Sequence, residues 1–182
     1  PRSLDPALST DVPTGRAVSY VFDGLTRFTP SAQVVPDLAT SWTLAPDGVT
    51  YTFHLRQGVR FHDGTPFSAA DVRHSWERVL DPKTRGGRGW PLYPITGAQQ
   101  FAAGTSPTIS GLTVVDDSTI RIVLTEPFAI FPKMLAMPAT AIVPMHTPPN
   151  FGEHPIGTGP WKLVTWNHDD YLLFARNMDY HE

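Results

Sequence analysis

The run Ala39-Thr40-Ser41-Trp42-Thr43-Leu44, then Pro46-Asp47-Gly48, then Thr50-Tyr51-Thr52-Phe53-His54-Leu55-Arg56 decides the fold class. In its last part Tyr51, Phe53 and Leu55 fall on one side of an extended backbone and Thr52, His54 and Arg56 on the other. That period of two is the pattern of an antiparallel strand with one buried face. Asp47-Gly48 supplies turn chemistry, with a glycine free to take a positive φ, so the two flanking runs are predicted to pair as a hairpin. Gln57-Gly58 and Asp63-Gly64 mark two further turns. A helix is predicted to start at Ser68, whose side chain can cap it, with Asp71 completing a capping box in a first turn that favours negative charge. Val72, Trp76, Val79 and Leu80 form its buried stripe, and Asp81-Pro82 ends it.

Outward from this centre the texture stays mixed. Leu4-Asp5-Pro6-Ala7 is extended, because a residue before proline is pushed out of the helical region. Residues 11–28 read as a helix leading into a short segment, with Val18, Val21, Phe22 and Leu25 on one face and Gly24 as a C-terminal stop. Residues 30–36 are a connection. Residues 83–97 form a long loop carrying Arg85, Arg88, Trp90 and Tyr93, and a short helix covers 98–103. Strands follow at 112–115 and 119–124, joined by Asp116-Asp117. Residues 127–137 have helical spacing, and Ala141-Ile142-Val143-Pro144 reads as a short buried strand. A proline-rich loop spans 148–155. Strands at 161–166 and 171–176 pair across the polar turn Asn167-His168-Asp169-Asp170. The order is α+β, with no βαβ rhythm.

Composition narrows the function classes. Of 182 residues 41% are hydrophobic and 17% charged, a balance that supports a packed core. The net charge of −3 provides no basic footprint for nucleic acid. Cysteine is absent, which excludes disulfide frameworks, thiolate zinc sites and cysteine nucleophiles. The 19 prolines are spread between apolar segments, as loop and edge-strand punctuation. No apolar run approaches the roughly 20 residues of a membrane span, and residues 1–10 lack the charged start and apolar stretch of a leader.

Several linked segments carry a resemblance. Pro36-Asp37-Leu38-Ala39-Thr40-Ser41-Trp42, Asp47-Gly48-Val49-Thr50-Tyr51 and Gly58-Val59-Arg60-Phe61-His62-Asp63-Gly64-Thr65-Pro66-Phe67 are followed by Ala70-Asp71-Val72. Together they resemble the signature of the family 5 bacterial solute-binding proteins, the oligopeptide, dipeptide and nickel binders. Leu4-Asp5-Pro6, Asp23-Gly24-Leu25, Glu126-Pro127-Phe128, Gly157-Thr158-Gly159-Pro160-Trp161 and Arg176-Asn177-Met178-Asp179-Tyr180 fall in the same order. Where the family usually has Pro-Asp-Tyr-Trp, this chain has Met178-Asp179-Tyr180-His181. The resemblance implies the first part of a type II periplasmic-binding-protein clamshell, with its second lobe absent from this chain. Residues 1–37 would start the first lobe, 38–150 would form an inserted α+β subdomain, and 151–182 would return to the lobe.

The same resemblance implies an extracytoplasmic component of an ABC importer that captures peptides and is not an enzyme. Its partners would be the ligand and the permease subunits, with membrane contact only through the permease or a removed lipid anchor. No cofactor is expected. A nickel chelate or another small solute is the alternative ligand. From other classes come a regulator's sensory domain and a hydrolase. The only adjacent acidic pairs, Asp116-Asp117 and Asp169-Asp170, fall in predicted hairpin turns; a hydrolase would need two carboxylates facing one cleft.

Candidate ligand-binding residues follow. Trp90 and Tyr93 stand in a long polar loop where no helix stripe requires them, and rigid rings with a polar handle suit binding clefts. Thr10 and Asp11 match a family segment that lines the cleft; capping of the following helix competes for them. Thr140 lies where relatives present ligand-binding side chains. Thr158 and Gly159 belong to a turn near the cleft in the family; Pro160 and the lack of a following Lys-Ser/Thr pair rule out a phosphate loop. His62 is read as part of a tight turn, and the histidines show no local zinc-ligand spacing. No metal site is expected.

Overall fold

The computed structural model describes residues 2–182. A 3-10 turn at Pro6–Leu8 is capped by Asp5, whose buried carboxylate also holds the guanidinium of Arg78. Helix α1 (Val12–Val21) follows, then strands β1 (Thr26–Phe28) and β2 (Val34–Pro36). Strands β3 (Ala39–Leu44) and β4 (Thr50–Leu55) lead to α2 (Ala69–Leu80) and the short α3 (Ala98–Ala102). Strands β5 (Leu112–Asp116) and β6 (Thr119–Val123), the single turn α4 (Phe131–Met134) and the hairpin β7 (Trp161–Asn167)–β8 (Tyr171–Arg176) complete the order.

The central sheet is antiparallel in the order β3-β4-β6-β5. The alternation in β4 produces its register: Tyr51, Phe53 and Leu55 are buried, His54 is exposed, and Phe53 pairs with Trp42 on one side and Ile120 on the other. Gly48 closes the β3–β4 turn at φ 73°, a left-handed conformation that glycine tolerates without a steric penalty. Ser68 and Asp71 form the capping box of α2, with the Ser68 amide donating to Asp71 Oδ2 at 2.8 Å. Val72, Trp76, Val79 and Leu80 then pack into one core with Tyr51, Phe53, Ile120 and Ile122. The indole N–H of Trp76 donates to the Thr140 carbonyl at 3.1 Å, so the largest core side chain has no unsatisfied polar atom. A second cluster joins Val18, Val21 and Phe22 of the α1 end to Ala141, Val143 and Phe151.

Four sequence expectations are corrected. Helix α1 stops at Val21, three residues before the expected stop at Gly24, because the Val21 carbonyl accepts from the Gly159 amide at 2.9 Å and Phe22 turns extended. The 30–36 connection contains β2, paired antiparallel with β1. Only residues 131–134 of 127–137 are helical; Pro132 sits in the first turn, and Met137, preceding Pro138, is extended. Residues 141–143 are buried but make no ladder: the Ile142 amide donates to Asp23 O and the Val143 amide to Ser75 Oγ, both at 2.9 Å. Among the described residues no helix is long and apolar enough to cross a membrane.

Candidate functional site

The start of α1 fixes one wall of an open groove. Asp11 is its N-cap: Oδ1 accepts from the Thr14 amide at 2.8 Å and Oδ2 from the Thr14 hydroxyl at 2.9 Å. Those two bonds, the backbone one foremost, hold the Asp11 carboxyl below the usual carboxylate range. The helix buries Ala17, Val18 and Val21, so Val12, Gly15, Arg16 and Ser19 face the groove. The opposite wall is the 88–91 segment. Arg88 Nη2 donates to the Thr10 carbonyl, tying this segment to the chain just before the helix, and a 3-10 turn at Trp90–Leu92 presents the indole outward. Phe28 and residues 136–139 close the floor, giving a cavity of about 430 Å³.

This arrangement exposes apolar surface with charge at its rim. Trp90 is 47% exposed, and Val12 and Phe28 are exposed as well. Asp11, Arg16 and Arg88 line the same cavity. Rigid apolar walls with a few charged groups suit a small ligand that carries both an apolar body and charged ends.

The other expected positions lie elsewhere. Thr10 adjoins the groove and presents its carbonyl to Arg88. Tyr93 is exposed one residue beyond the 3-10 turn and does not line the cavity. Thr140 is buried, its hydroxyl donating to the Met137 carbonyl at 2.8 Å. Thr158 is buried and donates to Asp23 Oδ2 at 2.8 Å. The Gly159 carbonyl accepts from His62 Nε2 at 2.9 Å and from Asn177 Nδ2 at 3.1 Å. The structure thus brings Trp90 and Asp11 to one groove, with Thr10 beside it, and puts Thr140, Thr158 and Gly159 in the supporting framework. Val12, Phe28 and Ala139 complete the walls; no local pattern singles them out, because tertiary packing alone assembles them.

A second polar cluster lies beside the groove, on a cavity that shares Ser19, Phe28 and residues 136–138 with it. Asp23, Asp37 and His181 place potential ligand atoms within 4.8 Å of one another. Burial, followed by the neighbouring Asp37 carboxylate, pushes the Asp23 carboxyl up to about 7. Burial beside the same two carboxylates drives the Tyr180 phenol upward as well.

Comparison with known proteins matches residues 33–182 to the family described as bacterial extracellular solute-binding proteins, family 5, middle part. The glutathione-binding protein GsiB of Escherichia coli is 32% identical over 182 residues, covering 98% of this chain and 33% of that protein. The E. coli murein tripeptide-binding protein MppA superposes with a TM-score of 0.88 at 32% identity, over 99% of this chain and 37% of that one. Haemophilus influenzae OppA in complex with the peptide RPPGFSPFR superposes with a TM-score of 0.94 at 25% identity, over 100% of this chain and 37% of that one. This chain therefore spans about a third of the length of the curated relatives it matches.

Proposed function

The chain belongs to the bacterial extracellular solute-binding proteins of family 5, and from that premise we propose that it forms one jaw of a two-lobed protein that captures peptides outside the cytoplasm for an ABC importer. Glutathione, an oligopeptide and a murein tripeptide are the ligands named for three of its relatives, and all three are peptide-like. The observation that carries the reading onto this chain is the groove, in which exposed Trp90, Val12 and Phe28 face solvent beside the charges of Asp11, Arg16 and Arg88. A ligand resting on this jaw gains affinity when a second lobe closes over it, because only the closed form contacts it from both sides. The first jaw alone is therefore expected to bind weakly. Trp90, with Asp11 and Thr10 beside it, supplies the contact surface; Thr140, Thr158 and Gly159 hold its framework.

A hydrolase would need two carboxylates flanking a substrate. Asp116-Asp117 and Asp169-Asp170 are exposed at hairpin turns, and Asp23 with Asp37 does not line the Trp90 groove. Capture without chemistry is thus the better-supported reading.

Calorimetric titration of the full-length gene product with tripeptides tests this. Trp90→Ala should weaken binding by tenfold or more, on the order of 2 kcal/mol for a hot-spot aromatic, and Tyr93→Ala should weaken it less. Because Trp90 is half exposed, the unliganded thermal midpoint should not move. Unchanged affinity in Trp90→Ala removes the groove as the binding surface.

A further inference from the structure

Asp23, Asp37 and His181 reach one point from three distant segments: the approach to β1, the residue after β2, and the stretch beyond β8. His181 Nε2 lies 3.7 Å from Asp37 Oδ1, with the two side chains only 6% and 3% exposed. Both imidazole nitrogens and Asp37 Oδ1 are buried without a hydrogen-bond partner among the described residues. Polar atoms left this way are costly, and a native fold normally satisfies them. We propose that Asp23, Asp37 and His181 form a resident site for a divalent transition-metal cation of the zinc class, which clamps the segment after β8 to the β1–β2 ribbon.

The donor chemistry and spacing support this assignment. A separation of 3.7 Å is too long for a hydrogen bond, but it suits two ligands that each bind an ion at about 2.0–2.2 Å. No pair of the three ligand atoms is more than 4.8 Å apart, so closing the set onto that shell takes side-chain movements of about 1 Å or less. One imidazole with two carboxylates is a borderline set that suits zinc-like ions, whereas calcium and magnesium prefer oxygen alone. The two carboxylates bring like charge into a buried space, and a divalent ion neutralises it. Arg27, on the same ribbon, is instead engaged with Glu182 at 3.1 Å.

The surroundings supply a supporting hydrogen bond to one of the three ligands, Asp23. The Thr158 hydroxyl donates to Asp23 Oδ2 at 2.8 Å and orients that carboxylate. The Tyr180 ring packs against the His181 ring with centroids 4.4 Å apart. A cavity of about 400 Å³ lined by Asp23, Asp37 and Tyr180 provides an entry path. Local histidine spacing could not reveal the site, because its ligands lie far apart in the sequence.

The test is calorimetric titration of the chelator-treated full-length gene product with Zn²⁺, alongside visible absorption with Co²⁺. We expect one equivalent of Zn²⁺, a Co²⁺ ligand-field band, and a thermal midpoint raised by Zn²⁺. His181→Gln and Asp37→Asn should each weaken Zn²⁺ binding by about tenfold or more, and His168→Gln, at an exposed imidazole, should leave it unchanged. Folding of each variant is checked by circular dichroism. Absence of Zn²⁺ binding, or binding that survives both His181→Gln and Asp37→Asn in folded protein, overturns the proposal.

Discussion

Replacing His62 probes how the turn after β4 is fastened to the segment leading into β7. The ring makes two contacts: Nε2 lies 2.9 Å from the Gly159 carbonyl, and the Gly157 amide donates to Nδ1 at 3.4 Å. Only the neutral imidazole carrying its hydrogen on Nε2 satisfies both, so the network assigns the tautomer. The backbone adds a third link, from the His62 amide to Gly157 O at 2.8 Å. In His62→Ala the Gly159 carbonyl keeps Asn177 Nδ2 as a donor at 3.1 Å, but the Gly157 amide loses its acceptor. Loss of one hydrogen bond costs about 1 kcal/mol, and an orphaned amide at so long a bond adds about another 1 kcal/mol, for a total near 2 kcal/mol. The titration has a definite sign. Burial, the largest influence, pushes the His62 pKa down, and Lys162 acts in the same direction. Below the unfolded value of about 6.5 the native state binds fewer protons than the unfolded chain. The contribution of His62 is therefore complete above pH 6.5 and is lost as pH falls towards the lower folded value. Urea unfolding of the 182-residue chain, followed by tryptophan fluorescence at pH 7.5 and 5.5, measures both effects. His62→Gln, which cannot titrate, should lose less stability than wild type between these two pH values. A cost below about 0.5 kcal/mol for His62→Ala, or equal pH sensitivity in His62→Gln, would refute the reasoning.

Two further substitutions test the packing. Trp76→Phe removes the donor to Thr140 O and leaves a gap in a fully buried site; urea unfolding should show a loss of about 2–4 kcal/mol. Gly157→Ala puts a Cβ 2.0 Å from the Val21 carbonyl oxygen, so the end of α1 must shift. The expected cost is about 1–3 kcal/mol, and a thermal midpoint equal to wild type would mean that the α1 end yields freely.

The elements legible in the sequence are those whose pattern is local. The alternation of Tyr51, Phe53 and Leu55, the Asp47-Gly48 turn and the Ser68/Asp71 capping box each state their structure within a few residues, and β4 and α2 form as read. The α1 end falls three residues before the Gly24 stop read from the sequence, because Gly159, far along the chain, takes the Val21 carbonyl. Strands β1 and β2 have three residues each, too few for a period to appear. Residues 141–143 looked like a strand because they are apolar, but their amides go singly to Asp23 and Ser75. At the groove, Trp90 was conspicuous as a large ring in a polar loop, whereas Phe28 and Ala139 become wall residues only after folding.

Peptide capture is tested most directly by purifying the full-length gene product without denaturation and identifying by mass spectrometry whatever small molecule accompanies it. A co-purified peptide or peptide-like amide, released on unfolding and displaced by Trp90→Ala, is the expected result. A protein that carries only a metal chelate or a sugar, or that cleaves added peptides, would contradict it.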